Sequence, residues 1–228
     1  MTTQDHVWTD LREDLRGLFV GERTIGDSFP APIVFVTVNA LVGLVPAVVG
    51  AIFVGALVAL WRVKKGQKVS YAVGGILGIG FAAVLALRSG RAESFFLPGI
   101  VGTALLAAAS ILSLIARRPL AAWSSWAQRK WPLAWYWRPD VRPAYTVVTA
   151  IWAAYFAARA GVQWYLYLAE RPEALAAARI LTSWPTILPL LIVTYVYGNR
   201  YLNRLGGPTV AEFQSGISGP FTGGQRGF

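Results

Sequence analysis

The sequence predicts an all-α fold, a polytopic membrane helical bundle of about six transmembrane helices, the first two short, with interfacial helices. Three observations predict it. The 228-residue chain is 55% hydrophobic and only 14% charged, against about a quarter charged in a typical soluble domain. Runs nearly free of charge recur along it, most of them near the roughly 20 residues that cross a hydrocarbon core. Basic residues gather between alternate runs, as they do in cytoplasmic loops. The pattern divides the chain into a cytoplasmic leader (1–28), a transmembrane helical domain (29–204) and a Gly-rich tail (205–228).

The leader is polar and carries acids, without the basic start and apolar middle of a cleavable signal peptide, so the first apolar run is expected to anchor itself. Within it Trp8, Leu11, Leu15, Leu18 and Phe19 recur at helical spacing between Arg12, Glu13, Asp14 and Arg16, and Asp10 with Glu13 fits a capping box. This amphipathic helix could lie at the headgroup boundary, dock a partner or pack on its own bundle.

The first apolar run, Ala31 to Trp61, exceeds one span and carries Asn39, Gly43 and Pro46 near its middle. Basic residues flank both sides: Arg12, Arg16 and Arg23 before it, Arg62, Lys64, Lys65 and Lys68 after it. Two short helices fit that symmetry; the alternative is one long, kinked span with the N-terminus outside. Runs at Val69–Leu87, Phe95–Ala116, Ala144–Ala169 and Ala174–Tyr197 each suit one crossing. Six crossings place both termini in the cytoplasm and sixteen of the 21 basic residues inside. Arg88, Arg91, Arg171 and Arg179 fall at the outer edge, and Arg159 falls within the membrane.

Between the fourth and fifth spans, segment 117–143 holds Trp123, Trp126, Trp131, Trp135 and Trp137 among Arg117, Arg118, Arg129, Lys130, Arg138 and Arg142. Indoles favour the water–lipid boundary and cations favour an anionic leaflet, so the segment is expected to lie on the cytoplasmic surface as a lipid interface. After Leu205 the chain is rich in Gly, Ser and Pro with little to bury, and reads as disordered. Small residues four apart, as in Gly74 and Gly78, Ala104 and Ala108, or Ala153 and Ala157, predict close helix approach in lipid.

Chemistry finds few tools here. The chain has no Cys, and its one histidine, His6, sits in the leader, so the bundle holds no thiolate site, His-based triad or His-carboxylate metal site. Gly74, Gly75, Gly78 and Gly80 lack the Lys-Ser or Lys-Thr of a phosphate loop. Of the acids near the bilayer (Glu93, Asp140, Glu170 and Glu173), only Glu93 is expected inside protein, and paired metal-binding acids are missing. No catalytic residue, cofactor or metal is expected. The net charge of +10 is explained by inside loops rather than by nucleic acid.

Arg159 is the most informative polar residue, since an arginine within a span costs several kcal/mol unless paired or hydrated, about 3 kcal/mol on insertion scales. Gln163 lies one turn on, and Asn39, Glu93 and Arg179 are candidate companions in a polar cluster. That cluster could bind an anionic solute or headgroup, or an Arg159–Glu93 ion pair could lock helices together.

Several short pieces in order carry a family resemblance over Phe29 to Arg204: Phe29-Pro30 with Phe35, Trp61-Arg62 with Lys65, Arg88 to Phe96 with Glu93, and Arg117-Arg118-Pro119-Leu120. Trp152, Phe156, Gln163 and Tyr167 continue it. The chain resembles actinobacterial membrane proteins classed as domain of unknown function 3159, and more distantly the intracellular septation protein A family. The leader and the Trp-rich segment depart from the shorter septation proteins. The resemblance implies a small multi-pass inner-membrane protein, linked in the distant relatives to septation and envelope integrity, with no catalytic residues to carry over. The expected partners are membrane lipids, anionic ones in particular, with a homo-oligomer or another membrane complex left open. The expected function is therefore non-enzymatic envelope organisation; the alternative is a small-solute or ion transporter or channel around Arg159.

Overall fold

A computed structural model describes residues 30–66 and 69–228, apart from the side chain of Tyr71. The leader and its amphipathic helix lie outside the described residues. Among the described residues every regular element is helical: α1 Pro30–Val42, α2 Leu44–Lys64, α3 Val69–Ser89, a 3-10 helix Ala92–Phe96, α4 Leu97–Ile115, α5 Leu120–Arg129, α6 Leu133–Tyr136, α7 Arg142–Leu168, α8 Pro172–Leu181, α9 Trp184–Arg204 and α10 Val210–Gln214.

Among the described residues four stretches are long and apolar enough to cross a membrane: Leu44–Lys64, Ala72–Ser89, Ala92–Ile115 and Pro172–Arg204. At most 28% of any such window is buried within the chain, so most of its apolar surface faces outward. Six were expected, and the two others differ for separate reasons. α1 has 13 residues, about 20 Å of helix against a hydrocarbon core of about 30 Å. α7 has 27 residues but mixes Arg142, Arg159 and Gln163 with its apolar ones. The first apolar run does divide into two helices, at Gly43, whose φ of 97° favours glycine. Pro46 falls in the first turn of α2, where a missing N–H costs nothing.

The chain forms two compact units. The first comprises Met1–Ile100 and Val162–Pro185. Its core sets Phe35, Phe95, Phe96 and Leu175 among small residues of α2 and α3, including Ala47, Ala51, Ala83 and Ala86. Phe35 stacks on Phe95 with centroids 4.1 Å apart, and Phe96 stands edge-on to both at 6.0 and 5.6 Å. Gly55 is needed for the α2–α3 approach, because a Cβ there would lie 2.5 Å from the Ile79 side chain. At Gly74, Gly75, Gly78 and Gly80, by contrast, a Cβ would meet nothing within 4 Å. The close approach expected at Gly74 and Gly78 is thus not made by the described residues.

The second unit comprises Val101–Gly161 and Thr186–Phe228. On its part of α4 the buried positions are Thr103, Ala107 and Ser110, while the expected pair Ala104 and Ala108 is exposed. Its core holds Trp135, Tyr136, Val141 and Tyr145 with Ala122, Leu202 and Val210.

The tail differs most from expectation. Instead of disorder, residues 205–228 carry α10, capped by Thr209 and Glu212 in a reciprocal box. The Glu212 carboxylate also accepts from the Thr222 amide at 2.8 Å and its hydroxyl at 2.7 Å. These donors, the Thr222 amide foremost and then that of Thr209, hold its pKa down to about 2. The Gly227 carbonyl accepts from Ser125 Oγ at 2.6 Å and Tyr145 Oη at 2.7 Å, and its amide donates to Asn199 Oδ1 at 3.0 Å. The Phe228 ring stacks on Tyr145 at 4.5 Å. Gly227, one of the glycines that suggested flexibility, acts here as a spacer, since a Cβ on it would strike the Tyr145 hydroxyl; on the facing α9 a Cβ on Gly198 would lie 2.8 Å from the Phe228 ring. The order comes from partners distant in sequence.

Candidate functional site

The basic, aromatic segment is built from α5 and α6, joined where Lys130 takes a left-handed φ of 56°. That turn points the two helices' indoles mostly inward. Trp135 is fully enclosed, and its Nε1 donates to the Pro208 carbonyl at 2.8 Å. Trp126, Trp131 and Trp137 are half-buried against the same core; Trp123 is the exposed member of the set. The expected row of lipid-facing indoles is therefore corrected: Trp135 can offer lipid nothing. The cations hold the outside. Arg117, Arg118, Arg129 and Lys130 are exposed, with Arg118 over Trp137 at 4.4 Å, Lys130 over Trp126 at 4.6 Å and Arg129 over Trp131 at 5.0 Å. Arg129 Nη2 also donates to the Phe228 oxygen at 2.6 Å. Arg138 pairs with Asp140 through two bonds of 2.9 and 2.7 Å, which raise the Arg138 pKa.

The candidate polar cluster is distributed over both units. Asn39, Glu93, Gln163 and Arg179 belong to the first and Arg159 to the second. Glu93 is 4% exposed, and its carboxylate accepts from Arg91 Nε at 2.5 Å. Arg91 reaches Glu170 at 3.2 Å as well and lies over the Tyr167 ring. Its pKa is raised, chiefly by the bond to Glu93. The carboxylate offered in sequence to Arg159 is thus engaged two residues away, by an arginine that reads as a loop charge. Asn39 is half-buried on α1, with its carbonyl accepting from the Gly43 amide. Arg179 packs over Phe96, centroid distance 5.9 Å, and against Gly99, where a Cβ would lie 2.5 Å from the guanidinium. Gln163 is buried, and its Nε2 has no partner among the described residues. Arg159 Nη1 donates to Tyr155 Oη at 3.3 Å, while its buried Nε has none among them.

One feature of the first unit was not anticipated from sequence: a groove of about 340 Å3 running along α2 and α3. Gly74, Gly75 and Gly78 line it, with Arg62 near one end and Arg179, Phe95 and Gly99 toward the other. The signal available was the glycine spacing on α3 just beyond the Trp61-Arg62 end of α2, which reads equally as a helix contact. Among the described residues no group of three His, Cys, Asp or Glu is placed to hold a metal ion.

A family model described as a protein of unknown function, DUF3159, matches residues 19–204. The chain belongs to the DUF3159 family. No curated protein and no solved structure matches it. The DUF3159 match takes in α1 to α9 and stops before α10 and the docked tail. Family and apolar helices together make this DUF3159 protein an integral membrane protein whose activity is not established.

Proposed function

We propose that this DUF3159 protein is a non-enzymatic factor of the cytoplasmic membrane that supports envelope or septation-related organisation through lipid or protein contacts. The observation that carries the reading is the exposed cationic edge of segment 117–143, where Arg117, Arg118, Arg129, Lys130 and Trp123 are all exposed. Such an edge attracts an anionic leaflet, each cation contributing about 1 kcal/mol near the surface. The resemblance to actinobacterial members and, at a distance, to septation protein A adds the envelope context. The test replaces Arg129 and Lys130 by Gln in protein reconstituted with phosphatidylglycerol and phosphatidylcholine. Retention of phosphatidylglycerol in native mass spectrometry is expected to fall several-fold; unchanged retention would count against the reading.

The topology that goes with it has six crossings and both termini in the cytoplasm, α1 and α7 joining the four apolar stretches. Because the chain has no Cys, single cysteines report sidedness without background. Cysteines at Val42 and Ser89 are expected to react with an impermeant maleimide from outside, and those at Lys65 and Arg117 only after permeabilisation. Labelling of Lys65→Cys from outside would overturn this orientation.

A second reading, a small-solute or ion transporter or channel, is favoured by the buried Nε of Arg159, which has no partner among the described residues. The same reconstituted vesicles distinguish it: ion or solute flux abolished by Arg159→Ala would replace the first reading, and flux blind to that change removes the second.

A further inference from the structure

The tail and the cationic edge meet at one guanidinium. Arg129, one of the exposed cations, donates through Nη2 to the Phe228 main-chain oxygen at 2.6 Å and lies over the Trp131 ring. The same end of the tail is seated beside it between α5, α7 and α9. Ser125 Oγ and Tyr145 Oη converge on the Gly227 carbonyl at 2.6 and 2.7 Å, and Asn199 Oδ1 accepts from the Gly227 amide at 3.0 Å. Asn199 Nδ2 donates to the Tyr195 carbonyl at 3.0 Å, which turns its oxygen toward Gly227. Gly198 leaves the space that the Phe228 ring fills. Ser125, Arg129, Tyr145 and Asn199 all lie within the stretch that the DUF3159 model matches, whereas Gly227 and Phe228 lie beyond it.

The seated part is short. Upstream of it the Thr222 amide and the Gln225 side chain are bonded to α10, so residues 226–228 can leave without unseating that helix. Their hold is largely polar, and each bond at Gly227 is exchanged for one with water on release, which keeps its net strength modest. We propose that residues 226–228 are a reversible strap on the cationic edge: tail and anionic headgroup compete for Arg129, so the seated tail holds lipid binding down and an anionic leaflet loosens the tail. This rests on the lipid-contact reading above and adds its regulation. Held between Phe228 and Trp131, the guanidinium swings to a headgroup only by giving up the tail bond, and a phosphate oxygen replaces that bond with a charge-assisted one. Linkage makes the effect reciprocal: whatever the tail takes from lipid affinity, lipid takes from tail seating. Its size is that of one cation near an anionic surface, about fivefold.

The experiment releases the tail from two sides. Gly227→Val drives a side chain into the Tyr145 hydroxyl, and Gly198→Ala crowds the Phe228 ring from α9 while raising helix propensity. Neither change touches a cation. Ser218→Ala, at an exposed position of the tail, is the control. In nanodiscs of mixed phosphatidylglycerol and phosphatidylcholine, hydrogen exchange across 226–228 reports release, and helix content and melting report folding. Native mass spectrometry gives the ratio of phosphatidylglycerol to phosphatidylcholine retained. Each variant that speeds the exchange is expected to raise that ratio about fivefold over wild type and Ser218→Ala, and the rise should vanish in an Arg129→Gln background. In wild type, residues 226–228 should exchange several-fold faster in phosphatidylglycerol discs than in phosphatidylcholine discs, a difference that Arg129→Gln erases. A released tail with an unchanged lipid ratio overturns the strap, as does a rise that survives Arg129→Gln. If the ratio ignores tail release but falls with Arg129→Gln plus Lys130→Gln, the strap is lost and the cationic edge stands. If it ignores both, the lipid-contact reading falls as well.

Discussion

Trp135→Ala is expected to destabilise the second unit by about 3–5 kcal/mol, the range for removing a large buried aromatic. The indole is fully enclosed and stands edge-on to Tyr136 at 5.1 Å, Trp131 at 5.5 Å and Tyr145 at 6.4 Å. Its loss also leaves the Pro208 carbonyl without its donor, a further cost of about 1–3 kcal/mol where the group stays dry. Segment 117–143 lies outside the four apolar stretches, so its unfolded state exposes the ring to water and the full transfer energy counts. Denaturant titration in detergent measures the loss. Trp135→Phe separates the two contributions, restoring most of the packing but not the hydrogen bond. A shift below about 1 kcal/mol for the alanine variant would mean the cavity collapses or refills with water.

Phe35→Ala is expected to be the second largest effect and to fall below that soluble-core range. Phe35 is fully buried and ties α1 to the 3-10 helix through Phe95 and Phe96. It belongs to an apolar segment for which lipid is the alternative solvent, so no water-to-protein transfer is lost, only dispersion contacts and the aromatic geometry. The comparison is informative in both directions. Equal losses for the two variants would mean that α1 sits in water when the first unit unfolds. A much smaller loss for Phe35→Ala, reported by the melting of detergent-solubilised protein, places that helix in the lipid phase.

What could be read in the sequence was what depends on local composition. The apolar runs, the break at Gly43 and the exposed cations of segment 117–143 all follow from residue type and spacing. What could not be read depends on partners far along the chain. Trp135 and Trp123 are the same residue in the same kind of neighbourhood, and only the fold decides that one meets Pro208 while the other stays outside. Gly227 looks like linker and is held by Ser125, Tyr145 and Asn199. Glu93 was matched with a distant arginine when Arg91 stood two positions away, because the tight 3-10 turn that brings them together leaves no hydrophobic period to recognise. The α3 glycines carried the opposite ambiguity: the same spacing serves a tight helix pair or an unfilled groove, and only the positions of neighbouring side chains separate the two.

The inequality of α1 and α2 has a mechanical consequence. Their 13 and 21 residues correspond to about 20 and 31 Å, so under the proposed six-crossing topology the hairpin would match the bilayer thickness on one leg and fall about 10 Å short on the other. Lipids next to the short leg would then compress or tilt, at a fraction of a kcal/mol per ångström. Their elastic cost is lowest where the membrane is already thin or strongly bent. With that topology the protein would be drawn by membrane elasticity toward such regions.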